Sequence, residues 1–303
     1  MLTEQKLQYL EERRKGIGGS DIGPILGLSP WKSAYQVYQE KRGEVPHWEG
    51  NDTTDWGLRM EPTLRQFYSD KTGRAVRVPD KILVHPDHPF MLASLDGLTD
   101  CCRVVELKTA RFGKGWGEPG TSEIPDYYST QTQWYLAVTG FPVADVVVSI
   151  GGAPAALYEV QEDKELQEMM IEAAAAFWQR VIDGNPPDVV SFSDAVSKFG
   201  LSGTAGIVYA DAEVVAAVEA LRQVKEQKEA LEAQEDELKA KCVVALGEAG
   251  DALVDTGGRV LVTYKLAKGR ETVDSKKLAI SYPEAYADCL KIGAPSRRFL
   301  LKD

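Results

Sequence analysis

Ionisable side chains interrupt the apolar runs of residues 91–110, MLASLDGLTDCCRVVELKTA, which otherwise predict neighbouring β-strands. Side chains two residues apart in a strand point to the same side of a sheet. Glu106 and Lys108 therefore share one face, while Val105 and Leu107 enter the core on the other. The segment thus constrains the chain to a sheet whose polar face meets solvent, another charge or a ligand.

Asp96 ends the run that precedes Glu106, and pairing across the turn TDCC would bring the two carboxylates together. Adjacent carboxylates repel and raise each other's pKa unless a cation lies between them. Mg²⁺ suits such a site because it takes oxygen ligands and keeps several waters. Lys108 beside the ion would orient the attacking water or stabilise charge at phosphorus. The D…ExK pattern therefore indicates phosphodiester hydrolysis; the alternative is an exposed strand with a salt bridge between residues 106 and 108.

Composition limits the class of protein. At 303 residues the chain exceeds the ~100–200 residues of a typical single core, so we expect one large domain plus an appendage. Hydrophobic residues make up 44% and charged residues 27%, as in folded soluble proteins. No apolar run approaches the ~20 residues of a membrane span, and no apolar signal region begins the chain. These features predict a cytoplasmic protein without a membrane partner.

The net charge of −11 argues against a protein that coats nucleic acid by bulk attraction, although a local basic channel remains compatible with it. Residues 257–303 carry ten Lys and Arg against five Asp and Glu, so the end of the chain is locally basic. The four cysteines include an adjacent pair but no CxxC, which predicts reduced thiols.

Periodicity predicts helices flanking several strands. The predicted helices of the N-terminal part cover residues 4–14, 21–27, 34–42, 55–72, 127–140 and 162–184. The predicted strands cover residues 82–85, 90–97, 103–110, 144–150 and 156–160. The first three helices are expected to be capped by Thr3, Ser20–Asp21 and Ser33. The apolar face of the fourth is expected to consist of Trp56, Met60, Leu64 and Phe67.

The glycine-rich segment GIGGSD at residues 16–21 has the character of an anion site. Amides at a helix start attract an anion, glycines let the chain approach it, and the Ser20 hydroxyl adds a donor. Arg13 and Arg14 lie just before this segment. The competing interpretation is a plain helix cap with two surface arginines.

Three more polar residues lie within predicted amphipathic helices: Glu61 in WGLRMEP, and Gln131 and Gln133 in STQTQWY. The order helix Glu, Asp, Glu-x-Lys, helix Gln, together with the opening RRKGIGGSDIGPILGLSPWKS, resembles the lambda-type viral recombination exonucleases. Within these, the chain resembles the YqaJ-like branch of phage-type nucleases, over about residues 8–185.

The resemblance implies an α/β (α+β) fold with a restriction-endonuclease-like core, in which helices flank a five-stranded central mixed sheet. It implies that Asp96, Glu106 and the Leu107 carbonyl bind Mg²⁺, with Mn²⁺ as a substitute. Lys108 resembles the catalytic lysine, and Glu61, Gln131 and Gln133 resemble the active-site helix residues. Arg13 with Ser20, or Arg14, resembles the group that binds a DNA 5′-phosphate.

The resemblance also implies degradation of one strand of duplex DNA from a 5′ end, by a phage or prophage enzyme in a bacterial cell. Double-stranded DNA ends, a ring-shaped homotrimer and a single-strand annealing recombinase are the implied partners. The alternatives are an endonuclease that cuts internally and a catalytically silent DNA-binding or scaffold protein.

The run GNPPD and the change of composition after it predict a domain boundary. We expect a nuclease domain at residues 1–190 and a C-terminal extension at residues 205–303. A helix at residues 211–248 is followed by a hairpin-like pair around DTGGRV and a helix from Asp274. The long helix is either a coiled-coil arm or a helix packed on the main domain.

Overall fold

The computed structural model describes residues 4–200, 206–248, 250–291, 293 and 297–302. The chain forms two compact units, Met1–Lys198 and Phe199–Asp303. The separate roles expected for segments 1–190 and 205–303 stay a prediction. Thr3, the expected cap of the first helix, lies outside the described residues.

A five-stranded mixed sheet forms the centre of the N-terminal unit, with strand order β2-β5-β6-β7-β8. The pair β6/β7 is parallel, and the other three pairs are antiparallel. The strands are β2 (Val76–Arg77), β5 (Gly97–Thr99), β6 (Arg103–Ala110), β7 (Val143–Ile150) and β8 (Ala156–Gln161). This arrangement confirms the sheet that the resemblance implied.

A smaller three-stranded sheet lies in the same unit, with order β1-β4-β3. Its strands are β1 (Ile17–Gly18), β3 (Leu83–Val84) and β4 (Met91–Ala93). The prediction of a single strand at residues 90–97 is therefore wrong, because the chain leaves one sheet after Ala93 and enters the other at Gly97. A Cβ at Gly97 would lie 2.3 Å from Val76 Cγ1, so a glycine is required where β5 meets β2.

Helices cover both faces of the central sheet. Val105 and Leu107 pack with Leu64 and Tyr68 on one face, and Trp134 belongs to the core cluster on the other. The helices of this unit are α1 (Glu4–Arg14), α2 (Gly19–Ile25), α3 (Ala34–Arg42), α4 (Asp52–Thr72), α5 (Asp126–Thr139), α6 (Lys164–Asp183) and α7 (Phe192–Phe199). The alternation of apolar residues in β6 thus has a direct cause, since each face meets a different helix.

Two details of the helix predictions are wrong. Helix α2 is capped at Gly18, whose N–H donates to Asp21 Oδ2 at 2.9 Å, because Asp21 occupies the third helical position and not the cap. Helix α4 begins at Asp52 after an Asn51 cap, and Trp56 is exposed, whereas Leu64 and Tyr68 are the buried residues of its face. The Ser33 cap is confirmed.

The C-terminal unit contains the long helix α8 (Ala212–Leu246), whose Asp211 cap accepts the Val214 N–H. Strands β9 (Ala252–Val254) and β10 (Val260–Thr263) pair antiparallel, and α9 (Ser275–Ser281) and α10 (Pro283–Asp288) follow. The coiled-coil role of α8 stays a prediction. Within the described residues, no helix is long and apolar enough to cross a membrane.

Candidate active site

A cleft of about 230 Å³ in the N-terminal unit collects most of the predicted site residues. It is lined by side chains from α1, the start of α2, α4, β6 and α5. The predicted residues in its wall are Arg13, Ser20, Glu61, Asp96, Glu106, Leu107, Lys108 and Gln131. Two predicted residues, Arg14 and Gln133, are absent from this wall.

Asp96 lies beside the strand that carries Glu106, which is the arrangement expected from the turn between them. Gly97 pairs with Val105, so β5 and β6 are antiparallel neighbours. Asp96 Oδ2 accepts the Leu107 N–H at 2.8 Å, which holds this carboxylate against β6. The two acids therefore face one cleft although they lie ten positions apart in the chain.

Glu106 is 2% exposed, and only one of its carboxylate oxygens is satisfied. Lys108 Nζ and Gln131 Nε2 both donate to Oε1, at 2.5 and 2.7 Å. The buried Oε2 has no hydrogen-bond partner among the described residues. Because an unpartnered buried acceptor costs about 1–3 kcal/mol, and more when charged, this oxygen is suited to a ligand that the protein itself does not supply.

The negative charge of the carboxyl groups in the cleft is only partly balanced by nearby positive charge. Burial raises the pKa of Glu106 to about 8; the nearby Lys108 charge opposes this shift and Asp96 adds to it. Burial is also the largest cause that raises the pKa of Asp96 and of Glu61, and the Asp96 charge adds to the rise at Glu61. A bound cation would favour the ionised form of all three acids.

The oxygen atoms of the cleft suit a hard divalent cation that needs few protein ligands. Among the described residues, no group of three or more His, Cys, Asp or Glu side chains converges as a metal site. Asp96 and Glu106 supply carboxylate oxygens to the cleft, Leu107 also lines it, and the Glu61 charge acts on Glu106. Mg²⁺ is commonly held by one or two carboxylates while it keeps several waters, which suits this set and the orphaned Glu106 oxygen.

A cluster of positive charge lies at the start of α2. Asp21 is buried and contacts Lys41 Nζ at 2.6 Å, with Arg13 and Lys32 nitrogens each at 3.9 Å. Arg13 also donates to Ser20 Oγ at 2.6 Å. Lys32 also pairs with the Glu40 carboxylate, so the three cations exceed the two carboxylates by one positive charge. This excess lies beside a helix start and attracts an anion. Sequence reasoning assigned Asp21 to a helix cap and missed Lys32 and Lys41, and no local spacing relates Lys41 to Asp21.

The start of α2 also contacts the helix that supports Glu106. A Cβ at Gly19 would lie 2.5 Å from Tyr135 Cε1, so only glycine allows this approach. Tyr135 Oη accepts a hydrogen bond from Gln131, which in turn donates to Glu106. Sequence reasoning missed Tyr135, although its position four residues after Gln131 places both side chains on one helix face.

Arg14 and Gln133 serve other contacts. Arg14 donates to the Glu40 carbonyl and to the Glu11 carboxylate. Gln133 Nε2 donates to the Gln161 carbonyl at 2.7 Å, away from the cleft. Residues two apart in a helix differ by about 200° in direction, so the helix that aims Gln131 at Glu106 must aim Gln133 elsewhere.

The chain is similar to known proteins in both sequence and structure. Residues 8–142 match the model of the YqaJ-like viral recombinase domain. The uncharacterized protein YqaJ of Bacillus subtilis (strain 168) is 30% identical over 312 residues, covering 98% of this chain and 94% of that protein. The relationship therefore extends through both compact units.

Two solved structures have lower similarity. An alkaline exonuclease from Laribacter hongkongensis (LHK-Exo) is 19% identical, with 59% of this chain and 94% of that chain covered and a TM-score of 0.49. A phage related exonuclease from Haemophilus somnus 129PT is 14% identical, with 56% and 96% covered and a TM-score of 0.42. The family assignment depends on the two sequence matches, and by these the chain belongs to the YqaJ-like viral recombinase family.

Proposed function

We propose that this protein is a Mg²⁺-dependent deoxyribonuclease that degrades one strand of duplex DNA from its 5′ end. The products would be 3′ single-stranded tails for recombination, in keeping with the viral recombinase family. The observation that carries the proposal is the buried Oε2 of Glu106, which has no partner in the described part of the chain and belongs to a cleft shared with Asp96 and Lys108. An orphaned carboxylate oxygen, a second acid and an ammonium together suit metal-assisted phosphodiester hydrolysis.

Asp96, Glu106 and the Leu107 carbonyl would hold the cation, with Mn²⁺ as a substitute for Mg²⁺. When bound, such a cation polarises the phosphodiester and makes water a stronger nucleophile. Lys108 orients the nucleophile and stabilises charge that develops on the phosphate oxygens. Gln131 holds the Glu106 carboxylate in place through Oε1, which leaves Oε2 as the oxygen for the cation.

Arg13 and Ser20 would bind the terminal 5′-phosphate. Both residues line the same cleft as Glu106, and the cation cluster around Asp21 adds positive charge next to them. A 5′-phosphate held there determines how far the strand extends into the cleft. This gives a physical basis for a preference for strand ends over internal positions.

A digest of three DNA substrates with Mg²⁺ tests the proposal: 5′-phosphorylated linear duplex, 5′-hydroxyl linear duplex and closed circular duplex. We expect rapid loss of the first, slower loss of the second and no loss of the third. Lys108→Ala should slow digestion by about 10²-fold or more, as expected when one transition-state donor is removed. Lys71→Ala removes an exposed lysine at the end of α4 and is the matched control.

The same digest separates the alternatives. Cleavage of closed circles would identify an endonuclease, because a circle has no end. Failure of Mg²⁺ and of Mn²⁺ to support any digestion by the folded wild type would indicate a catalytically silent DNA-binding protein and overturn the proposal.

Metal binding has its own test by isothermal titration calorimetry with Mn²⁺. Wild type should bind the ion, and Glu106→Gln and Asp96→Asn should each weaken binding by at least about 10-fold, since each removes a charged ligand. Glu162→Gln, at a surface carboxylate paired with Lys164, is the control. Equal affinity in all four proteins would exclude the proposed ligands.

The homo-oligomer, including the ring-shaped trimer, and the annealing recombinase are proposals that follow from the family resemblance. Sedimentation equilibrium of the wild type measures the oligomer directly. A monomer at micromolar concentration would contradict the trimer without affecting the proposed chemistry.

A further inference from the structure

A row of aromatic rings leads from the candidate active site to the surface of the N-terminal unit. Lys108 Nζ lies 4.9 Å from the centroid of the Tyr128 ring. Tyr128 contacts Tyr127 with centroids 4.4 Å apart, and Trp31 contacts these two rings at 6.4 and 4.7 Å. The row therefore begins at the proposed catalytic lysine and ends at a tryptophan.

The exposed position of Trp31 leaves its indole ring available for stacking. It is 67% exposed, although large aromatic residues dominate the buried cores of proteins. Its ring is nearly perpendicular to Tyr127, at 79°, and tilted by 37° to Tyr128, so neither contact is a parallel stack. The tyrosines support the indole from one side and leave stacking area open to solvent.

The aromatic row adjoins both charged parts of the cleft region, which are the cation cluster around Asp21 and the acidic group at Glu106. Lys32, the next residue after Trp31, belongs to the cation cluster around Asp21. Tyr127 and Tyr128 begin helix α5, which also carries Gln131 toward Glu106. Gly23 of α2 approaches Tyr127, with a Cβ position 3.4 Å from Tyr127 Cβ, so this helix and α5 hold the row in place.

We propose that Trp31, supported by Tyr127 and Tyr128, is a stacking platform for an unpaired nucleobase of the strand that enters the cleft. The inference rests on the proposed function for the identity of the ligand as DNA. Base–aromatic stacking accepts every base, as a nuclease without sequence preference requires. Moving a terminal nucleotide out of a duplex loses stacking worth a few kcal/mol, and stacking on Trp31 offsets part of that loss.

Fluorescence anisotropy of a 5′-phosphorylated single-stranded oligonucleotide in EDTA measures this binding without hydrolysis. One probe carries normal bases, and a second has abasic residues at its first three nucleotides. The variants are Trp31→Ala, Trp31→Phe and the control Trp48→Ala, which removes a similarly exposed tryptophan outside the aromatic row. The emission of the remaining tryptophans checks that each variant is folded.

Wild type should bind the normal probe about 5- to 150-fold more tightly than the abasic probe, the range expected for one stacked base. Trp31→Ala should weaken binding of the normal probe only and thereby remove the difference. Trp31→Phe should keep most of it, and Trp48→Ala should match wild type.

The proposal is overturned if Trp31→Ala weakens both probes equally, if it changes neither, or if wild type does not distinguish or does not bind the probes. Digestion of linear duplex by the same wild-type preparation with Mg²⁺ separates the two proposals. Active digestion without a probe preference excludes only the stacking platform. A probe preference without digestion excludes only the nuclease.

Discussion

The buried pair of Asp21 and Lys41 provides the sharpest stability prediction. Their side chains are only 3% and 4% exposed and lie 2.6 Å apart. Asp21→Ala leaves the Lys41 ammonium buried without its carboxylate, and removal of one partner of such a pair typically costs ~3–5 kcal/mol. Lys41 keeps a bond to the Arg13 carbonyl at 2.8 Å, so we expect the low end, ~3 kcal/mol. For a unit of this size, that corresponds to a fall in Tm of about 6–12 °C.

Tryptophan emission is a selective assay because all six tryptophans lie in the first 178 residues, within the N-terminal unit. Thermal melts of wild type, Asp21→Ala and Asp21→Ala/Lys41→Met should show the largest fall for the single variant. The double variant should recover at least about 1 kcal/mol, because a hydrophobic replacement of both partners removes the uncompensated charge. A single variant within 2 °C of wild type, or a double variant less stable than the single one, would refute this reasoning.

Three further predictions concern pH, backbone space and metal. Burial alone would raise the pKa of Asp21, but the surrounding cations outweigh it and hold the pKa well below its usual value. The stabilising contribution of the Asp21 carboxylate is therefore complete above the unfolded pKa of about 3.9 and is lost as the pH falls toward the folded pKa. The Tm difference between wild type and Asp21→Ala should shrink below about pH 4. A Tm difference that stays constant with pH would contradict this linkage. Gly19→Ala forces a Cβ to 2.5 Å from Tyr135 Cε1, so it should destabilise the unit by ~1–3 kcal/mol and slow DNA digestion. Gly23→Ala in the same helix adds a Cβ at ordinary van der Waals distance from its neighbours and should have neither effect. Mg²⁺ at 100 times its Kd should stabilise wild type by about 2.7 kcal/mol in the same melts, and Glu106→Gln should lose at least about half of that gain; equal gains in both would argue against Glu106 as a ligand.

Local periodicity was sufficient for much of the fold. The alternation in residues 103–110 predicted that Glu106 and Lys108 share a face, and their side chains are in contact at 2.5 Å. The Ser33 cap followed from residue type, because capping is a short-range interaction. The helical repeat alone also predicts that the side chains of Gln131 and Gln133 point in different directions.

The sequence by itself determined strand β6 with Glu106 and Lys108 on one face, because this depends on residue types at short spacings. It also determined the family, through the order of its motifs along the chain. Only the tertiary structure decided that residues 90–97 divide between two sheets, that Lys41 and Lys32 surround Asp21, and that one Glu106 oxygen finds no partner among the described residues. These features depend on contacts between segments far apart in the chain, and such contacts leave no periodic trace in the sequence. The physical reason is that a strand or helix pattern reports which side of an element is apolar, whereas the packing of elements decides which side chains meet.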